Sequence, residues 1–319
     1  MKINNLLLTT LVVMIFFSCK KDKENDPNIY KRTKQIAYLD SNADTVSKID
    51  LTYDGEKLVQ STEYWRDNQY NWMEVYKLNI SYSGDITTII FSEKQDWNWE
   101  ASTKTELLIN GGLIKEERYF EPEGDSWIEL DRWKYSYDGN NLIAWQDYVY
   151  QDLDGTMKLN GKGEYVYINN QLTEYDAYQA LDSNNWLQVE KETFTFIGEN
   201  LTTCINYDPE PNDVWVEYFK FEAQYTENRI DSRNYYYWYE DIAQWVIYYS
   251  EDYSYDLLGY LTKELYKDGS WNTFEYEEGI GNATYFYYYF ETSIYGHPII
   301  RGANGDQKYI PYYQRIKNK

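Results

Sequence analysis

The sequence predicts an all-β fold: tandem β-hairpins strung into one long antiparallel meander whose sheet curls or spirals. Three observations lead there. The chain is rich in strand-favouring aromatics, with 38 Tyr and 12 Trp among 319 residues. A bulky anchor recurs at Tyr53, Tyr82, Ile109, Tyr137, Tyr167, Phe196, Tyr225 and Tyr255, at gaps of 29, 27, 28, 30, 29, 29 and 30 residues. Turn chemistry follows most anchors, as in Asp54-Gly55, Ser83-Gly84, Gly111-Gly112, Asp138-Gly139 and Asn169-Asn170. Glycine and asparagine supply the positive φ that tight hairpins need. A period this regular marks a repeat array.

Each repeat reads as two strands. Ten residues before the last seven anchors stand Trp72, Trp99, Trp127, Met157, Trp186, Trp215 and Trp245. After the turns come Leu58, Ile86, Leu113, Leu142, Leu172, Leu201, Ile230 and Leu261, and six beyond most of these an aromatic such as Tyr64, Tyr148 or Tyr178. Strand side chains alternate, so even offsets put the Trp, the anchor, the Leu and the second Tyr on one face, expected to be the inner one. One detail resists this. Ile128 and Leu130 are apolar on the opposite face, as are Met73 and Val75, and Leu187 and Val189. That end of each strand needs cover from elsewhere, or a bulge that switches the face. Lys34 to Leu39 supplies a strand ahead of the first repeat, and seven to eight repeats bring the total to about 16–18 strands. A β-propeller would need two repeats per blade, yet nothing alternates between odd and even repeats. A membrane-spanning barrel is opposed by Lys, Glu, Thr and Asn on the outward faces. A two-sheet sandwich stays open where the meander folds over.

The domain plan has four parts: 1–19 a signal segment, 20–30 a flexible tether, 31–283 the hairpin array, and 284–319 a C-terminal strand and cap. The cap carries Pro298 and Pro311 and is expected over the open edge of the last strand. Lys2, the apolar run Leu6 to Phe17, and Ser18-Cys19 resemble the bacterial lipoprotein signal, which implies a lipid on Cys19 and a membrane anchored through it. Lys20-Lys21-Asp22-Lys23-Glu24 is similar to the surface-export signal of Bacteroidota lipoproteins. Together these imply an outer-membrane, lipid-anchored, surface-exposed address, with the periplasmic face as the other option. YSYDGNNL at Tyr135 to Leu142 and YSYDLLGYL at Tyr253 to Leu261 resemble the core of YD-type repeats. With the preceding Trp, the unit looks closer to the Trp/Tyr-Asp repeats of Bacteroidota secreted and lipid-anchored proteins. The resemblance spans about Val46 to Gly279 and implies a sheet that curls into a shell; it departs at Met157, Ile109 and Ile168.

The formal net charge of −23 argues against nucleic acid, because phosphate contacts need Lys and Arg. No catalytic, phosphate-binding or dinucleotide motif is present, and no metal or cofactor is implied. The single histidine, His297, has no constellation around it. Asp152-Leu153-Asp154-Gly155 lacks the remaining ligands of a calcium loop, and Asp44-Thr45-Val46 is similar to an O-glycan acceptor triplet. Cys204 stands alone on a strand and reads as a buried, inert thiol. The function that follows is a non-enzymatic envelope lipoprotein with an acidic, aromatic-rich array for binding or adhesion to a glycan or a surface protein. The alternatives are a polysaccharide-acting enzyme and a purely structural protein. Aromatics outside the repeat pattern, Trp65, Trp97, Trp145 and Trp238, are the candidate ligand contacts.

Overall fold

The computed structural model describes residues 31–278, apart from positions 56, 96, 112, 140, 152–155, 170, 183, 199, 211–213, 227–228 and 258–260. Eighteen strands run in order: β1 Lys31–Leu39, β2 Thr45–Asp54, β3 Lys57–Arg66, β4 Trp72–Ser83, β5 Ile86–Gln95, β6 Asn98–Asn110, β7 Leu113–Glu123, β8 Ser126–Asp138, β9 Asn141–Gln151, β10 Thr156–Ile168, β11 Gln171–Ala180, β12 Trp186–Ile197, β13 Asn200–Glu210, β14 Val214–Thr226, β15 Arg229–Tyr239, β16 Gln244–Tyr255, β17 Leu261–Tyr266 and β18 Trp271–Glu278. Every strand pairs antiparallel with its sequence neighbours. The turns form as their residues dictate: Gly139 sits at φ 58° and Asn169 at φ 53°.

The sheet does not end in free edges. β1 pairs with β2 and also with β18, through Ile36↔Phe274 and Tyr38↔Asn272, so the meander closes into a β-barrel. This corrects the expectation of an open, curled or spiralling sheet. An even number of strands lets the first and last of an up-and-down ribbon meet antiparallel, and closure satisfies a row of backbone groups that an edge would leave unpaired. It also removes the reason for a cap over an open edge of β18; the strand and cap expected over 284–319 lie outside the described residues.

Closure defines an inside and an outside. The inner face is the one withdrawn from solvent: Leu58, Leu78, Ile89, Leu107, Ile114, Leu142, Leu172, Tyr175, Phe194, Leu201, Phe221 and Tyr235 are all buried. Most anchor tyrosines join this face near the Gly turns. There the ladders between hairpins stop short, and the tyrosine hydroxyls take over the loose carbonyls: Tyr82 donates to Leu58 O (2.8 Å), Tyr137 to Ile114 O (2.7 Å), Tyr225 to Leu201 O (2.9 Å) and Tyr255 to Ile230 O (2.8 Å). Ile109 has no hydroxyl, and at its strand the ladder runs on instead: the Ile109 N–H bonds Asp85 O at 2.7 Å. The departure of Ile109 from the repeat is thus matched by a change in pairing.

The Trp set is not on the inner face. Opposite single partners, two residues crowd one position at Val75, Ser102, Leu130, Asn160, Val189, Tyr218 and Tyr248, each seven residues before its anchor. A second bulge follows most of the Gly turns, for example at Ile143. Each bulge adds one residue and flips the alternation. The repeat Trp residues and the second Tyr residues therefore face outward, except that Phe120 takes the outer place of Tyr119 on β7. There they meet a cation five residues before the anchor. Lys48 pairs with Tyr64, Arg132 with Tyr148, Lys162 with Tyr178 and Lys220 with Tyr236. The ammonium of Lys77 lies 4.1 Å from the Trp99 ring, Lys162 5.1 Å from Trp186 and Lys220 4.9 Å from Trp245; past the last anchor, Lys263 lies 4.3 Å from Trp271. Each such contact contributes about 0.5–1 kcal/mol at an exposed site. Carboxylates complete the outer ladder, with Lys48–Asp50 at 3.1 Å, Lys104–Glu106 at 3.0 Å and Lys220–Glu222 at 2.8 Å. A wall carrying these charged pairs differs from the apolar band of a lipid-spanning barrel, where each cation would cost about 2–4 kcal/mol at mid-bilayer.

Candidate functional site

The interior is where titratable groups gather. On β12 the side chains of Glu190 and Glu192 point inward beside Phe194, and both are buried. Asn206 on β13 bridges them, its Nδ2 donating to Glu190 Oε1 at 3.2 Å and to Glu192 Oε1 at 3.4 Å. Cys204, also inward on β13, is buried beside the pair, and burial pushes its thiol up. That matches the inert thiol expected from the sequence. Burial is also the main cause that pushes both carboxyls well above the ordinary range; the charge of Glu192 raises Glu190 further, and the amide of Asn206 works against the shift. Such a pair has the proton-holding chemistry of a general acid. At 2% exposure for each, it has no access for a polymer substrate.

The same pair gives a pH prediction. Unfolded, both carboxyls titrate near about 4.3; folded, they titrate higher, so the folded state holds more protons. Their contribution is complete below the unfolded range and is lost as pH rises toward the folded values. The slope is up to about 1.4 kcal/mol per pH unit for each proton released on unfolding. In urea titrations between pH 6 and 8, Glu192→Gln should flatten the fall in stability that the wild type shows. Equal slopes for the two proteins would contradict this.

A second buried polar group spans β15 to β18. Arg233 Nη1 donates to the Tyr235 hydroxyl at 2.7 Å, which donates to Glu251 Oε2 at 3.1 Å; Tyr253 also donates to Glu251, and Arg233 Nη1 stands 3.7 Å from that oxygen. On β17 and β18, Asn272 Nδ2 donates to Glu264 Oε2 at 3.2 Å and to the Tyr266 hydroxyl. These groups neutralise and hydrogen-bond charges that burial would otherwise make costly. The recess lined by Ile49, Ser61, Glu63, Tyr76, Leu78 and Phe91 is shallow and open to solvent, far smaller than the roughly 300–1,000 Å³ usual for small-molecule sites. Among the described residues no group of three or more His, Cys, Asp or Glu is placed to hold a metal.

The four candidate tryptophans are not brought together. Trp145 lies on the inner wall, packed on Trp133 with ring centroids 4.6 Å apart and seated over Gly161 and Gly163. It is half-buried and fills a wall position occupied elsewhere in the array by Ile89, Tyr175 and Cys204, so the repeat does use this position, for packing. Trp238 faces outward and meets Trp245 edge-on at 5.5 Å. Trp65 stands at the end of β3, 44% exposed, its indole N–H donating to Glu63 Oε1 at 2.6 Å. Trp97, in the β5–β6 loop, is 90% exposed. Cys19, His297 and Asp152 to Gly155 lie outside the described residues.

The two rims differ. At one end are the Gly turns, together with the start of β1 and the end of β18, where Lys31 faces Glu278. At the other are the loops that join hairpins. That loop rim carries Trp65, Tyr70, Trp72, Trp97, Leu181, Tyr239 and Ile242, all exposed. Sequence reasoning singled out Trp65 and Trp97, placed Trp72 in the repeat frame, and missed Tyr70 and Tyr239. It also missed the outer cation ladder, although Lys48, Lys77, Lys104, Arg132, Lys162, Lys191 and Lys220 recur five residues before successive anchors.

No protein-family model and no curated protein sequence matches the chain. Among solved structures, a porin-like protein from Bacteroides uniformis aligns over 77% of this chain and 98% of its own, at 12% identity and a TM-score of 0.38. A protein of unknown function from Bacteroides fragilis covers 52% of this chain and 96% of its own, at 19% identity and a TM-score of 0.25. A chain of the TcdB2–TccC3 structure covers 85% of this chain and 18% of its own, at 10% identity and a TM-score of 0.27. Likeness at this level assigns the chain to no family.

Proposed function

We propose that this chain is a non-enzymatic lipoprotein of the cell envelope, anchored through Cys19, whose loop rim binds a glycan or a surface protein. The observation that carries this reading is the placement of exposed aromatics on the rim opposite the chain's point of entry. Tyr70 is 70% exposed and Trp97 90%, whereas the first strand enters at Lys31 on the Gly-turn rim. Eleven residues, 20–30, separate Cys19 from Lys31, a reach of at most about 40 Å. A lipid on Cys19 would attach the chain at the Gly-turn rim and so favour an orientation with the aromatic rim away from the membrane. Exposed aromatics presented this way suit stacking on sugars or anchoring in a partner's pocket.

Two measurements test it. Labelled palmitate should enter the wild type and not Cys19→Ala; equal incorporation would refute the anchor. In proteoliposomes, a bilayer-attached quencher should dim a dye at Asp138→Cys on the Gly-turn rim more than one at Gln69→Cys on the loop rim. The reverse order would contradict the orientation.

A further inference from the structure

We infer that the lip of the barrel at Arg66, Tyr70 and Trp72 is a subsite for a carbohydrate chain bearing isolated carboxylated sugars. This deepens the rim-binding reading and rests on it. β3 ends at Arg66 and β4 begins at Trp72, with a five-residue loop between them. Asp67 organises that loop: its Oδ1 accepts the N–H groups of Gln69 and Asn71, both at 2.8 Å, and its Oδ2 accepts Asn71 Nδ2 at 3.2 Å. The closure forces Tyr70 into the left-handed region at φ 64°. The β1–β2 loop closes the same way around Asp40, and there the residue at φ 70° is Ala43. The fold thus asks for nothing larger than alanine at this point. The left-handed backbone disfavours any residue with a Cβ, and the exposed Tyr70 ring recovers nothing from the core.

What the ring does is extend a stack. The Arg66 guanidinium lies 5.9 Å from the Tyr70 ring and 4.8 Å from the Trp72 ring, and Lys48 lies 5.5 Å from Trp72. On the outer wall Lys104 and Lys162 are neutralised by Glu106 and Glu164, whereas Lys77 and Lys263 share with Arg66 an aromatic face and no carboxylate among the described residues. Arg66 makes no ion pair among the described residues, and its Nε is buried without a hydrogen-bond partner. The neighbouring Asp67 is committed to its loop. The lip therefore offers a guanidinium for a carboxylate, two ring faces for the C–H faces of sugars, and exposed Asn68 and Gln69 for hydroxyls. A sugar acid within a mostly neutral chain carries all three partners. A polyanion with a charge on every unit, such as a nucleic acid, is disfavoured by the net charge of −23.

The test uses the mature chain and four probes: a xylan oligosaccharide bearing glucuronate branches, the same oligosaccharide unbranched, polygalacturonate, and single-stranded DNA. The branched oligosaccharide should bind at least tenfold tighter than the unbranched one. Arg66→Gln should abolish that preference. Tyr70→Gly should weaken both xylans at least fivefold while raising the melting temperature, because glycine relieves the strain; that rise shows the loss is not unfolding. Equal affinity for branched and unbranched xylan would overturn the acidic-sugar inference and leave rim binding standing. Tightest binding to DNA, or glycan binding unchanged in both variants, would overturn the site itself. Failure of all four probes would overturn the glycan subsite, while a protein captured by the wild type and lost on Trp97→Ala would keep the rim reading.

Discussion

Trp145→Ala should destabilise the barrel by about 3 kcal/mol or more, the range for truncating a large aromatic in a packed layer. Trp145 lies against Trp133 and over two glycines of β10, and a Cβ built on Gly163 would fall within 2.8 Å of both Trp145 and Tyr175. At the matching wall position other repeats carry Leu78, Phe221 and Glu251, so glycine here is a response to the indole. Gly163→Ala in the wild type should cost about 1–3 kcal/mol through overpacking. In a Trp145→Ala background the same change should cost at least about 1 kcal/mol less, since the main obstacle is gone. Urea denaturation of the four proteins measures this coupling. Additive effects would show that the two residues do not share a site. A mild Trp145→Ala phenotype with lost ligand binding would return Trp145 to the list of contacts.

Arg233→Met should be comparably damaging, at about 3–5 kcal/mol. Arg233 is 2% exposed and Glu251 is fully buried, with Tyr235 and Tyr253 completing the group. Removing the cation leaves the buried carboxylate with hydroxyl donors and without the Arg233 counter-charge. The Arg233→Met, Glu251→Leu double variant should recover most of the loss, because it removes both charges at once. If the double variant is as unstable as the single one, hydrogen bonding or shape rather than charge pairing holds this wall.

The period, the strand count and the turns were legible because they rest on local chemistry: Asp-Gly and Asn at positive φ, and anchors at a fixed spacing. The faces were not. One added residue at Leu130 and another at Ile143 move Trp127 and Tyr148 outward and Trp145 inward. Nothing in the composition of β8 or β9 marks those positions, although the apolar pair Ile128 and Leu130 on the presumed outer face was the visible trace. Closure was equally hidden. It depends on β1, a strand with no repeat signature, meeting β18 across almost the whole array. The lip around Arg66 escaped notice because Tyr70 sits in a loop outside the repeat frame, and its left-handed backbone is not written in its residue type.

The distinction between inner and outer walls, and with it the assignment of packing and contact residues, depends on closure through β1 and β18. Hydrogen exchange tests it directly. In a closed barrel every amide from Gln35 to Tyr38, and those of Asn272 and Thr273, lies between two paired strands and should exchange slowly. In an open sheet, alternate amides along both strands would exchange at the rate of unpaired backbone, and that pattern would contradict the barrel.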